Sequence, residues 1–178
     1  MAGDVKTAWS RREVRRVILV LDLAGFTRAI GPLENATLGE LVHRFYSVAA
    51  ARVEEHGGRV IKFVGDGCLA VFEDDAAQDA VVCARDLGMP VRELSAEFGV
   101  NFDIGANVHM ATIVEGEFGA GRSAAFDVIG VGVEHAFRMG AGPGIRISEP
   151  VFRRLPNDAR HEWRKRQAPA TYTWDGAS

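Results

Sequence analysis

The feature that most constrains the fold is the segment of residues 59–72, RVIKFVGDGCLAVF. Two runs rich in β-branched and apolar residues, 60–64 and 68–72, flank the triplet Gly65-Asp66-Gly67. An Asp-Gly turn between two such runs predicts a β-hairpin with Asp66 at its tip. Taken alone, the pattern also fits a plain hairpin whose aspartate is simply solvated.

An earlier strand delivers a second carboxylate. Residues 16–21, RVILVL, predict a buried strand that ends at Asp22. Hard divalent cations such as Mg²⁺ favour carboxylate oxygens and substrate phosphates. Lys62 adds a cation inside the first hairpin strand, where burial requires a partner. The alternative to a plain hairpin is therefore a metal site shared by Asp22 and Asp66.

Length and composition restrict the class of protein. A chain of 178 residues predicts one domain, which we place at residues 15–178 behind a polar lead-in, 1–14. The net charge of −3 argues against a nucleic-acid partner. Cys68 and Cys83 lie in apolar runs, which predicts buried free thiols and a cytoplasmic location. No apolar segment is long enough to span a bilayer, so we expect no membrane partner.

The order of elements predicts an α+β, ferredoxin-like βαββαβ (palm-type) sheet with helices packed on one face. Apolar spacing predicts a helix over 34–56 and a second helix, capped by Asp74 or Asp75, that extends to about Phe98. Pro90 predicts a kink or break of this second helix near residues 88–89. The remaining predicted elements are strands at 100–109, 113–118 (or a bulged return), 126–130, 145–148, 161–165 and 171–174, and helices at 131–139 and 149–155.

Three motifs, LVLDLAGFT (19–27), IKFVGDGCLAVF (61–72) and FDVIGVGVEHAFRM (126–139), occur in this order. Together they resemble the catalytic domain of the class III nucleotidyl cyclases, of the stand-alone bacterial type. The resemblance covers about residues 15 to 150 and, more loosely, the closing strands. Ala111 stands where the family usually has a glycine.

The resemblance implies a role for individual residues. Asp22 and Asp66 would bind two Mg²⁺ or Mn²⁺ ions, with the carbonyl of Leu23 assisting. Lys62 and Asp127 would read the base, and Arg138 would steady the phosphates. The implied site residues, in full, are catalytic Arg138 and Glu134; substrate-binding Lys62, Asp127, Phe26, Thr27 and Lys165; and metal-binding Asp22, Leu23 and Asp66.

The implied activity is that of an adenylyl cyclase, a phosphorus-oxygen lyase that makes 3′,5′-cyclic AMP and pyrophosphate from ATP for signalling. Adenine offers an amino donor and a ring-nitrogen acceptor, which match the Asp and the Lys; guanine has the reverse pattern. In this family the metal aspartates come from one subunit and the base and phosphate readers from the other. A chain with both sets implies a head-to-tail homodimer.

One departure from the family keeps other functions open. Glu134 replaces the asparagine that positions the ribose, and its carboxylate would repel a triphosphate or pair with Arg138. This allows a pyrimidine (UTP or CTP) cyclase, resembling those of bacterial anti-phage signalling, or a catalytically weak or silent nucleotide-binding module. A diguanylate cyclase or polymerase is disfavoured, because the GGDEF-type turn is missing.

Overall fold

The computed structural model describes residues 11–166 and 171–174, so most of the predicted lead-in (1–10) lies outside the described residues. The strands are β1 (Arg12–Ala24), β2 (Arg59–Val64), β3 (Gly67–Phe72), β4 (Asp103–Phe118), β5 (Ala125–Ile129), β6 (Gly144–Ser148), β7 (Trp163–Arg166) and β8 (Thr171–Trp174). The helices are α1 (Phe26–Ala29), α2 (Asn35–Glu55), α3 (Ala77–Asp86), α4 (Gly88–Glu97), α5 (Val131–Arg138), α6 (Glu149–Arg154) and α7 (Asn157–Arg160).

The eight described strands form one sheet in the order β2-β3-β1-β4-β6-β8-β7, and β5 pairs with the distal half of β4. β4 and β6 are parallel, whereas the other neighbours are antiparallel. The predicted α+β sheet and its βαββαβ core are confirmed.

Strand β1 is buried on both faces because it lies between two hydrophobic cores. Val17, Leu19 and Leu21 point towards the core that contains α2, α3 and α4. Ile18 and Val20 point the other way, towards apolar residues of α5. Alternation along a strand sends successive side chains to opposite faces, which explains why the apolar run is continuous. The helices of the βαββαβ core share one face, and the later helix α5 covers part of the other.

The predicted helices α2, α3 and α4 are present with the expected interruption. Buried Leu41, Phe45, Ala49 and Val53 recur every four residues along α2 and form its inner stripe. α3 and α4 are separated at Leu87, and Pro90 lies in the first turn of α4, where a missing amide hydrogen costs little.

Two local predictions are wrong. Neither Asp74 nor Asp75 caps α3, whose N-cap is Ala76 without a side-chain cap hydrogen bond. The predicted strands 100–109 and 113–118 belong to one continuous strand, β4, because β1 pairs with it across the residues between them, 110–112. Its first half lies between β1 and β6, and its second half lies between β1 and β5.

Strand β1 is also longer than predicted. Ion pairs fix its N-terminal residues against β4. Arg12 and Arg16 both donate to the buried carboxylate of Glu115, at 2.9 Å each through their Nε atoms. The guanidinium groups lower the pKa of Glu115, with the hydrogen bond from Arg16 as the largest cause. Residues at the start of the described chain are therefore part of the sheet.

Cys68 and Cys83 are buried free thiols, as predicted, and burial raises the pKa of each to about 12. Within residues 11–166 and 171–174, no helix is both long and apolar enough to cross a membrane.

Candidate active site

The β2–β3 hairpin presents Asp66 at its tip, as predicted. The two-residue turn Gly65-Asp66 places Gly65 at φ 59°, in the left-handed region that favours glycine. The Tyr46 hydroxyl donates to the Gly65 carbonyl at 2.6 Å, and the Tyr46 ring stacks on Phe63 at a centroid distance of 4.0 Å. Helix α2, which carries Tyr46, thereby holds the turn that carries Asp66.

Asp22 lies beside this turn because β1 pairs with β3. The register places Asp22 opposite Gly67, and the Leu23 amide donates to the Asp66 carbonyl at 3.2 Å. On the other side of β1, Asp22 lies opposite Gly105 of β4. Neighbouring strands thus bring the two aspartates together, as the sequence predicted.

Both aspartates line two adjoining cavities. The first, which we call the loop cavity, has a volume of about 570 Å³ and is lined by residues 22–28, Asp66, Ala141 and Gly142. The second, the sheet cavity, has a volume of about 260 Å³ and extends from the aspartates towards Asn107 and Phe137. The volume of the loop cavity lies within the range of small-molecule sites.

The electrostatic environment of Asp22 disfavours its charged form. Burial raises the pKa of Asp22, the nearby Asp66 carboxylate raises it further, and Arg146 opposes both. Two carboxylates that destabilise each other's charge are stabilised together when a cation lies between them.

This donor set fits a hard divalent cation. Asp22 and Asp66 supply carboxylate oxygens, and Leu23 lines the same loop cavity. Among the described residues, no group of three or more His, Cys, Asp or Glu side chains is arranged to hold a metal. Mg²⁺ typically takes one or two protein carboxylates and completes its shell with water and substrate phosphates. The residues present match that pattern.

The glycine loop, residues 140–144 (Gly-Ala-Gly-Pro-Gly), contributes Gly140 and Ala141 to the sheet cavity, and Ala141 and Gly142 to the loop cavity. Arg146 donates to the carbonyls of Ala141 at 2.6 Å, Gly142 at 3.2 Å and Pro143 at 3.3 Å. Asn107 donates to the Gly140 carbonyl at 3.0 Å. Asn107 of β4 and Arg146 of β6, which are neighbouring strands, therefore hold the loop in place.

Lys62 and Asp127 form a pair outside these cavities. The Lys62 Nζ donates to Asp127 Oδ2 at 2.7 Å, and the Val128 amide donates to Oδ1 at 2.8 Å. The pair joins β2 to β5, and Lys62 is half-exposed rather than buried. The Lys62 ammonium has further N–H donors available for a ligand.

Glu134 and Arg138 form an exposed ion pair along α5, with 3.1 Å between Oε2 and Nη2. Lys165 is exposed on β7, the strand at one edge of the sheet. None of Lys62, Asp127, Glu134, Arg138 and Lys165 lines either cavity with Asp22 and Asp66. The predicted site residues of one chain therefore fall into separate groups.

Two further predicted site residues, Phe26 and Thr27, border the loop cavity. The Phe26 ring is buried and packs against Phe102, with ring centroids 6.3 Å apart. Thr27 is exposed. Phe26 thus anchors α1 to the core beside the aspartates.

Sequence reasoning missed three polar residues near the aspartates. Arg28 lines the loop cavity, Asn107 lines the sheet cavity and Arg146 holds the glycine loop. Asn107 is buried, and its Oδ1 has no hydrogen-bond partner among the described residues. Each is a single polar residue without a motif, so only the three-dimensional arrangement reveals it.

Sequence comparisons relate the chain to bacterial proteins, although no protein-family model matches it. An adenylate cyclase of Streptomyces coelicolor is 38% identical over 104 residues, which cover 55% of this chain and 26% of that relative. An adenylate cyclase of Anabaena cylindrica is 27% identical over 154 residues, covering 79% of this chain and 31% of that relative. The chain thus spans less than a third of the length of these relatives.

Solved structures share the fold along almost the whole chain. The guanylyl cyclase Cya2 superimposes with a TM-score of 0.81 at 21% identity, covering 95% of both chains. The adenylyl cyclase CyaB of P. aeruginosa gives a TM-score of 0.81 at 19% identity, covering 94% of this chain and 97% of that one. These comparisons confirm the resemblance to the class III nucleotidyl cyclase catalytic domain, and they confirm its fold.

Proposed function

We propose that the protein is a nucleotidyl cyclase that converts ATP to 3′,5′-cyclic AMP and pyrophosphate. The observation that carries the proposal is the juxtaposition of Asp22 and Asp66 at two cavities of a cyclase fold. The reaction forms a bond between the ribose 3′ oxygen and the α-phosphorus and breaks the bond to the β-phosphate. It needs charge neutralisation and positioning more than covalent chemistry from the protein.

Asp22 and Asp66 would hold two Mg²⁺ or Mn²⁺ ions, with the Leu23 carbonyl as a further oxygen donor. When bound, such ions lower the pKa of the attacking hydroxyl and neutralise phosphate charge. The protein contributes the fixed geometry of the two carboxylates. Tyr46 supports that geometry from α2, and the β1–β3 register supports it from the sheet.

Lys62 and Asp127 would select the base. Their side chains already contact each other at 2.7 Å, which holds an acceptor and a donor side by side. A carboxylate accepts from the adenine amino group, and an ammonium donates to the ring nitrogen. Guanine would present an acceptor to the Asp127 carboxylate and a donor to the Lys62 ammonium. These polar groups would then stay unpaired.

The active site would form between two copies of the chain in a head-to-tail homodimer. Within one chain, the aspartates and the group formed by Lys62, Asp127 and Arg138 do not share a cavity. Apolar side chains are exposed near both groups: Val131 is 88% exposed, Val64 60% and Phe137 47%. Clustered exposed apolar side chains of this kind mark interaction surfaces. A second copy would cover them and bring the two groups together.

Purified protein incubated with Mn²⁺ and each of the four nucleoside triphosphates tests this function, with the products separated by chromatography. We expect cyclic AMP from ATP, and loss of that product in Asp22→Asn and Asp66→Asn. Cyclic product from GTP alone would refute the base assignment. Turnover of UTP or CTP would instead support a pyrimidine cyclase.

A second candidate, a catalytically weak nucleotide-binding homologue, is favoured by one observation. The Glu134 carboxylate pairs with the Arg138 guanidinium, which the cyclase reaction would use at the phosphates. In that case the protein would bind ATP and Mn²⁺ but release cyclic product slowly. Nucleotide binding measured alongside turnover separates the two functions.

A further inference from the structure

The loop cavity contains one cation that the proposed function has not used. Its charged lining residues are Asp22, Asp66 and Arg28, so Arg28 is its only cationic side chain among the described residues. Arg28 is exposed, and no described residue forms an ion pair or a side-chain hydrogen bond with its guanidinium. This guanidinium is available to a ligand.

The backbone of Arg28 is held firmly at the rim of this cavity. Gly25, at φ 93°, turns the chain from β1 into α1, and its carbonyl accepts from the amides of Arg28 at 3.1 Å and Ala29 at 3.0 Å. The buried ring of Phe26 anchors the same turn against Phe102. The backbone of Arg28 is thus fixed by this turn, and its exposed side chain lines the cavity that Asp22 and Asp66 also line.

Three other cations of the candidate site are bound to protein groups. Arg146 donates to several carbonyls of the glycine loop, Lys62 pairs with Asp127 and Arg138 pairs with Glu134. Lys165, one of the predicted substrate-binding residues, is on β7 and does not line the loop cavity. Arg28 thus combines three properties: location beside both aspartates, exposure and a guanidinium without a protein partner.

We propose that Arg28 is a phosphate-binding residue, and that it acts on the same triphosphate as Asp22 and Asp66 of its own chain. The proposal rests on the proposed function, because it takes the aspartates to bind a metal–triphosphate complex. A guanidinium presents a planar fork of N–H donors that matches two phosphate oxygens. The cavity of about 570 Å³ has room for a triphosphate group.

Calorimetric titration with inorganic tripolyphosphate in the presence of Mn²⁺ tests the proposal without requiring turnover. We expect Arg28→Ala to weaken binding by about tenfold or more, as loss of a charge-assisted contact predicts. Arg28→Lys should retain part of the affinity, because it keeps the charge but loses the fork. Arg154→Ala is the matched control: it removes an exposed arginine from α6, which does not line the loop cavity.

A titration with Mn²⁺ alone separates phosphate binding from damage to the metal site. Removing a cation near the carboxylates does not weaken their attraction for Mn²⁺, so Arg28→Ala should bind Mn²⁺ at least as well as the wild type. If Arg28→Ala bound Mn²⁺–tripolyphosphate as tightly as Arg154→Ala does, the proposal would be overturned. A parallel loss of affinity for Mn²⁺ alone would also overturn it, since Arg28 would then act on the metal site.

Failure of the proposed function gives a different result. If the wild type binds Mn²⁺–tripolyphosphate through Arg28 but makes no cyclic nucleotide, the result supports the phosphate-binding role of Arg28 and refutes the proposed cyclase activity. If Asp22→Asn leaves Mn²⁺ binding unchanged, the metal assignment fails. In that case the Arg28 comparison still decides whether this side chain binds phosphate.

Discussion

The Asp22 carboxylate lies directly over the α-carbon of Gly105, so that the structure leaves no room for a methyl group at residue 105. The Gly142 carbonyl of the glycine loop lies on the same side, 2.9 Å from the position of such a methyl group. Gly105 therefore allows the sheet, the glycine loop and the Asp22 carboxylate to approach each other closely.

Replacing Gly105 by alanine should displace either Asp22 or the glycine loop. We expect roughly a 100-fold loss of cyclase activity, since displacement of a reacting group by about 1 Å has effects of that size. Stability should fall by about 1–3 kcal/mol through overpacking. Initial rates of cyclic AMP formation and urea denaturation measure the two effects separately.

Gly39→Ala is the control for Gly105→Ala. Gly39 is exposed within α2, and nothing lies within 4 Å of a Cβ built there. This variant should keep its activity and gain about 0.5–1 kcal/mol of stability, because alanine is the better helix former. If Gly105→Ala also kept its activity and stability, the activity would not depend on the present position of the Asp22 carboxylate.

Asp22→Asn should stabilise the metal-free protein at neutral pH. Burial and Asp66 raise the pKa of Asp22, so its ionised form is unfavourable in the fold. This penalty is present when Asp22 is ionised and disappears as the pH falls through the raised pKa. The melting temperature of Asp22→Asn should therefore exceed that of the wild type at pH 7, and the difference should shrink on acidification.

Mn²⁺ should reverse this order, because only the wild type retains both carboxylates and gains stability by binding the ion. Asp75→Asn, which removes an exposed acid just before α3, is the control and should show neither effect. An unchanged melting temperature in metal-free Asp22→Asn would show that the aspartates do not repel each other.

Glu134→Gln should increase turnover. The substitution frees the Arg138 guanidinium from its exposed pair and removes a negative charge close to the predicted triphosphate position. We expect a gain of about tenfold, the effect of one charge-assisted contact, with little change in stability because exposed pairs contribute little. Initial rates with saturating ATP and Mn²⁺ measure the gain.

Glu149→Gln provides the comparison for Glu134→Gln. It breaks the corresponding pair with Arg153, four residues apart on α6 and remote from both cavities. Its turnover should equal that of the wild type. A decrease in Glu134→Gln would mean that Glu134 takes part in metal or substrate binding.

Mixing two inactive variants should restore activity if the site forms between chains. Asp22→Ala removes a residue of the proposed metal-binding half, and Lys62→Ala removes a residue of the proposed base-binding half. A mixed dimer should contain about one intact site. An equal mixture of Asp22→Ala and Asp66→Ala is the control, since both changes affect the same half. Failure of the first mixture to regain activity would count against the shared site.

The sequence predicted the hairpin that presents Asp66 because a tight turn between two strands depends on local rules. Gly65 and Gly67 permit the turn, and apolar alternation determines which strands lie in the sheet. The interruption between α3 and α4 followed from Pro90 for the same reason. In each case neighbours in sequence decide the conformation.

Features that depend on distant partners escaped prediction. The continuous course of β4 is determined by β1, which pairs with residues 103–115, while β6 and then β5 pair with its other edge. The four-residue helix α1 depends on Phe26 packing against Phe102. The position of Arg28 in the loop cavity depends on the turn from β1 into α1, and no periodicity marks it.

The most direct test is a phosphorus-31 nuclear magnetic resonance time course of the wild type with ATP and Mg²⁺. It distinguishes ring closure from hydrolysis by the identity of the products. We predict that cyclic AMP and pyrophosphate appear in equal amounts, and that neither appears with Asp22→Asn or Asp66→Asn. Formation of ADP and phosphate, or turnover that survives both substitutions, would contradict a cyclase built around these two aspartates.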